Sequence, residues 1–147
     1  MKRSIIPHVV NAQEMYTLGP DATAADCARQ LMEWNVAAVC VLEDGSLAGI
    51  VTERDLARRV LASGANPQTT KLGDIMTRNP DVLGPGDSAT DALKMMQKNR
   101  YRHMPVVDGG KVVGMVSIRD LYQVVMENLE EDMAQTEAYV LGHGYSA

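Results

Sequence analysis

Apolar and polar positions follow one order along this chain, and they follow it twice. A Pro-containing turn, Gly19-Pro20, leads to Thr23 and Asp26, which predict a helix start. Apolar residues then fall at Cys27, Ala28, Leu31 and Met32, a helical spacing that predicts one buried face. The run "AVCVLE", the turn Asp44-Gly45 and the run "LAGIVT" predict a β-hairpin, and "ERDLARRVLA" predicts a helix beginning directly after it. The second pass reads Gly84-Pro85-Gly86, Ser88 and Asp91, then Ala92, Leu93, Met95 and Met96. It continues with "MPVVD", Gly109-Gly110, "KVVGMVS" and "IRDLYQVVMENL".

The two passes keep one register. "GIVTERDL" starts at Gly49 and "GMVSIRDL" at Gly114, 65 residues later. The same shift superposes Leu18-Gly19-Pro20 on Leu83-Gly84-Pro85, Asp26 on Asp91, Val41 on Val106 and Val60 on Val125, with no gap. Internal duplication follows. Each copy is expected to run strand edge, helix, strand, strand, helix. A unit of that size cannot cover both faces of its sheet, whereas two copies packed sheet to sheet can. The expected fold class is therefore α/β, two β-α-β-β-α repeats with pseudo-twofold symmetry. The expected divisions are residues 1–66 (N-terminal arm and first repeat), 67–130 (second repeat) and 131–147 (a tail, helical and then Gly-rich). Ser63 to Asp74 reads as the linker crossing between halves.

Composition adds limits. Phe is absent and aromatics make up 4% of the 147 residues, so Val, Leu, Ile, Met and Ala must build the core. A net charge of −5 argues against general nucleic-acid binding but leaves room for a small anion held by a local basic cluster. Cys27 and Cys40 have no motif spacing and read as buried thiols in a reducing, cytoplasmic setting, with a disulfide as the lesser alternative. No apolar run is long enough for a membrane helix, and "MKRSIIPHVV" lacks the h-region of a signal peptide.

The stretch from Asp74 to Leu121 closely resembles a CBS (cystathionine-β-synthase) domain, and Leu18 to Leu56 resembles another; a tandem pair is a Bateman module. The resemblance implies a stand-alone regulatory module that binds AMP, ATP, NAD or another adenosyl compound between two repeats. It implies ribose hydroxyls on Asp55 and Asp120, with phosphate near Thr52, Arg54, Ser117 and Arg119. It places the adenine by Thr17, Val36, Ala37 and Ala38 in the first copy. In the second copy the matching positions are Val82, Tyr101, Arg102 and His103. The copies differ in charge, since "NRYRHMP" is basic where "WNVAAVC" is neutral. The second copy is therefore expected to be the stronger nucleotide site.

Plainer readings stand beside these. Asp55 and Asp120 suit a helix dipole, and Thr52 and Ser117 are ordinary N-caps. Arg100 and Arg102 divide evenly between a solvated face and phosphate contact. His103 reads as structural, "LKMMQK" as core and Trp34 as packing. His8, His103 and His143 share no metal-ligand spacing, and no nucleophile elbow, P-loop or dinucleotide fingerprint occurs, so neither an enzyme nor a metal site is expected. The competing function is a structural dimerisation module without a physiological ligand. The resemblance implies a homodimer, with helix faces bearing Ala57, Val60, Leu61, Tyr122, Val125 and Met126 as candidate contacts. No nucleic-acid or membrane partner is expected, and the sequence names no downstream protein.

Overall fold

The computed structural model describes residues 3–13 and 15–143. In chain order, β1 is Thr17–Leu18, α1 Ala24–Trp34, β2 Ala38–Glu43 and β3 Ser46–Thr52. Next, α2 (Glu53–Asp55) continues without a break as wider π-helical turns over Leu56–Leu61. After α3 (Leu72–Ile75) and β4 (Thr77–Arg78) come α4 (Ala89–Asn99), β5 (His103–Asp108), β6 (Lys111–Ser117) and the long α5 (Ile118–His143). The fold is a mixed α/β chain carrying two copies of one pattern.

The chain forms two compact units that interleave along the sequence. One holds the arm up to Ala12, Leu83–Met104 and the chain from Met115 on; the other holds Gln13–Val82 and Pro105–Gly114. In the second of these, β1, β2, β3 and β4 form one sheet in that order. The β1–β2 pair is parallel, and β2–β3 and β3–β4 are antiparallel. The core beneath it gathers Ala24, Cys27 and Leu31 of α1, Val39, Val41 and Val51 of the hairpin, Val60, and Leu72, Ile75 and Met76. In the other unit Ile5, Ala89, Ala92, Leu93, Met96, Met104, Val116 and Leu121 are buried.

Local chemistry sets these boundaries. Thr23 Oγ1 accepts from Asp26 N at 3.1 Å and Ser88 Oγ from Asp91 N at 3.4 Å, capping α1 and α4. Both helices end on a left-handed residue, Asn35 and its repeat counterpart Arg100. The hairpin turn Asp44-Gly45 has positive φ at both residues, as a two-residue turn of matching twist requires, and Gly109-Gly110 repeats it.

Three expectations change, while Trp34 packs as expected. Ala28 and Met32 are exposed, because the buried side of α1 is set by Ala24, Cys27 and Leu31, and Met95 is likewise exposed on α4. Val60 is buried in the core, so it is unavailable as an intersubunit contact. Trp34 packs partly against the core and stacks on Tyr16 with ring centroids 4.9 Å apart. The stretch read as a linker is ordered: it contains the start of α3, and Leu72 is fully buried. The helix expected at the start of the tail is present, as α5 reaching His143; the final Gly-rich residues 144–147 lie outside the described residues.

That ordered stretch has a counterpart the sequence register did not reveal. Around the first copy's turn, Ala24 N donates to Thr70 O, Leu72 N to Ala22 O and Gly73 N to Pro20 O, at 2.8–2.9 Å. Around the second copy's turn, Ala89 N donates to Arg3 O, Ile5 N to Asp87 O and Ile6 N to Pro85 O, at the same distances. The bridges Thr23↔Lys71 and Ser4↔Ser88 complete the match. Each copy's turn is thus closed by the segment that precedes the other copy.

Candidate functional site

Each copy places an acid at the point where its last strand becomes a helix. β3 ends at Thr52, whose backbone is still extended, and α2 begins at the next residue. Thr52 Oγ1 accepts from Asp55 N at 3.1 Å, and Thr52 N donates to Asp55 Oδ2 at 2.9 Å. This reciprocal pair satisfies two otherwise orphaned N–H groups. At the head of α5, Ser117 Oγ accepts from Asp120 N at 3.2 Å and Ser117 N donates to Asp120 Oδ2 at 3.1 Å. One carboxylate oxygen of each aspartate is therefore committed to the cap.

A backbone bond ties the hairpin entrance to each helix start. Glu53 N donates to Ala37 O at 2.9 Å, and Ile118 N donates to Arg102 O at 2.8 Å. In the first copy Ala38 of β2 pairs with Thr52 of β3, and Thr17 of β1 pairs with Cys40 of β2. The start of β1, the start of β2 and the end of β3 thus meet at one end of the sheet. Thr17, Ala37, Ala38, Thr52 and Asp55 are brought together there. Ala38 is buried and Arg54 is exposed. Val36 and Ala37 also line an open hollow of about 510 Å³ beside α1 and α2, with Ala28, Met32, Glu53 and Ala57.

In the second copy Arg102 precedes β5 and His103 opens it, and the bond from Ile118 N to Arg102 O ties this segment to the start of α5, where Ser117, Arg119 and Asp120 lie. Arg102 and Arg119 are exposed, while Tyr101 and His103 are half-buried. The Tyr101 hydroxyl accepts from Asn99 Nδ2 at 3.2 Å. Val82 is exposed and belongs to the other unit.

The two aspartates differ in their second oxygen. Asp55 Oδ1 lies 3.7 Å from Arg59 Nε, and Arg59 Nη1 donates to Ile75 O at 2.7 Å. The guanidinium thus bridges the carboxylate and the end of α3. The equivalent position in the second copy is Val124, and Asp120 has no such ion pair among the described residues. Arg59 was missing from the residues singled out by sequence, although its place four residues after Asp55 on a helix signals the pairing. No group of three metal-ligating side chains occurs among the described residues. No described helix is long and apolar enough to cross a membrane.

Comparison with known proteins matches this architecture. The family model for the CBS domain matches residues 5–62 and 72–127. The mitochondrial CBS domain-containing protein CBSX3 of Arabidopsis thaliana is 36% identical over 130 residues, spanning 85% of this chain and 63% of the plant protein. This chain spans only about a quarter of some longer plant relatives. The solved structure of a protein with CBS domains from Burkholderia ambifaria MC40-6 aligns with a TM-score of 0.75 and 34% identity, over 79% of this chain and 85% of that one. The crystal structure of CBSX2 in complex with AMP aligns with a TM-score of 0.65 and 25% identity, over 78% and 90%. The chain belongs to the CBS-domain family and carries the domain twice.

Proposed function

We propose that this chain is a regulatory module that binds an adenosyl nucleotide (AMP, ATP or an NAD-type ligand), with repeats at 1–66 and 67–130 and a tail from 131. The ribose hydroxyls rest on Asp120, and phosphate lies near Ser117, Arg119 and Arg102, where a capped helix start and two exposed guanidinium groups favour an anion. The observation that carries this reading is the bond from Ile118 N to Arg102 O, which holds a basic segment beside the Asp120 helix start. AMP bound to the structural relative CBSX2 supports the ligand class. The Asp55 site, with Thr52 and Arg54, binds more weakly, because Arg59 already engages its carboxylate and Ala37 and Ala38 stand where the second copy has Arg102 and His103.

The module is not an enzyme in this reading, and it works in a reducing cytoplasm as a homodimer. Exposed Leu61, Tyr122 and Met126 supply apolar contact area for that assembly. The second reading is a ligand-free dimerisation module. It is favoured by the cap bonds of Asp55 and Asp120, which give both acids a purely structural task.

Calorimetry with AMP separates the two. Losing a charged hydrogen-bonding group costs about 1.5–3 kcal/mol, so Asp120→Ala is expected to bind AMP about tenfold more weakly or worse. Asp120→Asn retains an oxygen for the cap and is expected to fold normally yet still bind poorly. Asp55→Ala is expected to lose less. Unchanged affinity in Asp120→Asn removes the ribose assignment, and no heat with any adenosyl ligand leaves the dimerisation reading.

A further inference from the structure

Five cations of this acidic chain stand without a partner. Lys94, Lys98, Arg100 and Arg102 fall within nine residues, and Arg119 is in the first turn of α5. All five are exposed and belong to one compact unit. None forms an ion pair or a side-chain hydrogen bond among the described residues, whereas Arg3, Arg29, Arg59 and Lys71 each engage a carboxylate.

Two bonds hold the basic stretch against the head of α5. Gln97 Nε2 donates to the Tyr122 hydroxyl at 3.2 Å, and Ile118 N donates to Arg102 O at 2.8 Å. Lys98 and Arg100 lie between those two anchors along the chain. Arg100 ends α4 in the left-handed conformation. Lys94 stands one helical turn behind Lys98, about 6 Å along the axis. Asp120 shares the first turn of α5 with Arg119.

Helix stability explains only part of this charge. Lys98 and Arg100 favour the dipole of α4 from its end, but Lys94 lies mid-helix and Arg119 opposes the dipole of α5 from its start. The first copy has the same caps and does without the cluster. Its residues matching Lys98, Arg100 and Arg102 are Glu33, Asn35 and Ala37, and Arg29, which matches Lys94, is paired with Asp26. Like charges gathered along so short a stretch repel one another, and an anion seated among them relieves that repulsion.

We infer that Lys98 and Arg100, with Lys94 behind them, form a polyphosphate subsite beside Asp120. This inference rests on the reading that Asp120 holds a nucleotide's ribose. Arg102 and Arg119 then take the first phosphate, and Lys98 and Arg100 take the phosphates beyond it. The ligand class narrows to nucleoside diphosphates and triphosphates. A monophosphate leaves the outer cations unused, and a dinucleotide carries its phosphates between two sugars and has no terminal one.

The test is calorimetry on the full chain with AMP, ADP, ATP and NAD, in the absence of divalent cations. Affinity is expected to rise from AMP to ADP to ATP by about tenfold or more overall, with NAD no tighter than ADP. The advantage of ATP is expected to shrink as salt is raised. Lys98→Gln with Arg100→Asn removes the outer charges and is expected to fold normally, since both side chains are exposed and Asn tolerates the left-handed conformation. This double variant is expected to lose about tenfold or more toward ATP but less than about threefold toward AMP. Inorganic tripolyphosphate probes the subsite without the ribose. It is expected to bind Asp120→Asn at least as tightly as the wild type, and the double variant about tenfold more weakly or worse. Equal affinities for AMP and ATP in the wild type, or equal losses for both in the double variant, overturn the inference and leave the ribose reading standing. Tripolyphosphate binding the wild type and the double variant equally also overturns it. Tripolyphosphate binding that the double variant loses, with no heat from any nucleotide, upholds the polyphosphate subsite and removes the ribose reading.

Discussion

Gly49 lies where β4 comes closest to β3, paired with Arg78. A Cβ there would stand 2.6 Å from Met76 Sδ and 2.7 Å from the Thr77 carbonyl oxygen. The methionine has freedom to move, but the backbone oxygen does not. Gly49→Ala is therefore expected to destabilise the fold by about 1–3 kcal/mol, read as a lower urea midpoint at unchanged slope. An unchanged midpoint shows that β4 yields at little cost. The cysteines make a second residue-scale case. Burial pushes the Cys27 thiol up to about 11, with a smaller contribution from Asp55, and burial pushes Cys40 up to about 12. Both values are raised above the ordinary 9.0, so the folded state holds these protons more tightly than the unfolded state. Their contribution is level below about pH 9 and is lost as pH rises toward 11–12. Stability measured across that range is expected to fall less steeply in Cys40→Ala than in the wild type, and parallel curves count against it. At this scale the sequence was readable where one residue answers a local need. Thr52, Ser117, Thr23 and Ser88 all cap as their spacing predicts. Arg59 was readable only toward Asp55, four residues before it, because its second partner is a carbonyl of Ile75, 16 residues away.

At the scale of elements, a helix whose first turn holds a reciprocal cap depends on that pair. Thr52→Ala is expected to cost about 0.5–2 kcal/mol, measured by denaturation, with a similar loss for Ser117→Ala. A loss confined to Thr52→Ala indicates that packing along α5 holds its start without the cap. The hairpins were legible because alternation and a two-residue turn with positive φ are local signals, and both runs of each pair fall where predicted. Which face of α1 is buried was legible at Cys27 and Leu31 but not at Met32, since apolar spacing alone cannot say where a helix face runs out of neighbours. The short α3 and β4 left no periodic signal. Four and two residues are too few to show one, and their places come from Leu72 in the core and from backbone bonds to Ala22, Pro20 and Ala48. The candidate site followed the same split. The strand-to-helix junctions could be read from the repeated motif, but the difference between Asp55 and Asp120 depends on Arg59, which has no counterpart in the second copy.

Across the whole molecule, the duplication was plain in sequence, but the membership of each unit was not. The arm at Arg3–Ile6 closes the second copy's turn, and Thr70–Gly73 closes the first's. Cutting the chain between residues 66 and 67 therefore removes from each piece a segment it needs. The two fragments are expected to be poorly folded alone and to recover cooperative unfolding when mixed, as followed by circular dichroism. Independent, cooperative melting of each fragment counts against this. The exchange also bears on descent. A one-copy forebear of this chain has an entering segment but no second turn for it to close. Such a chain completes itself only by trading that segment with another molecule of its own kind.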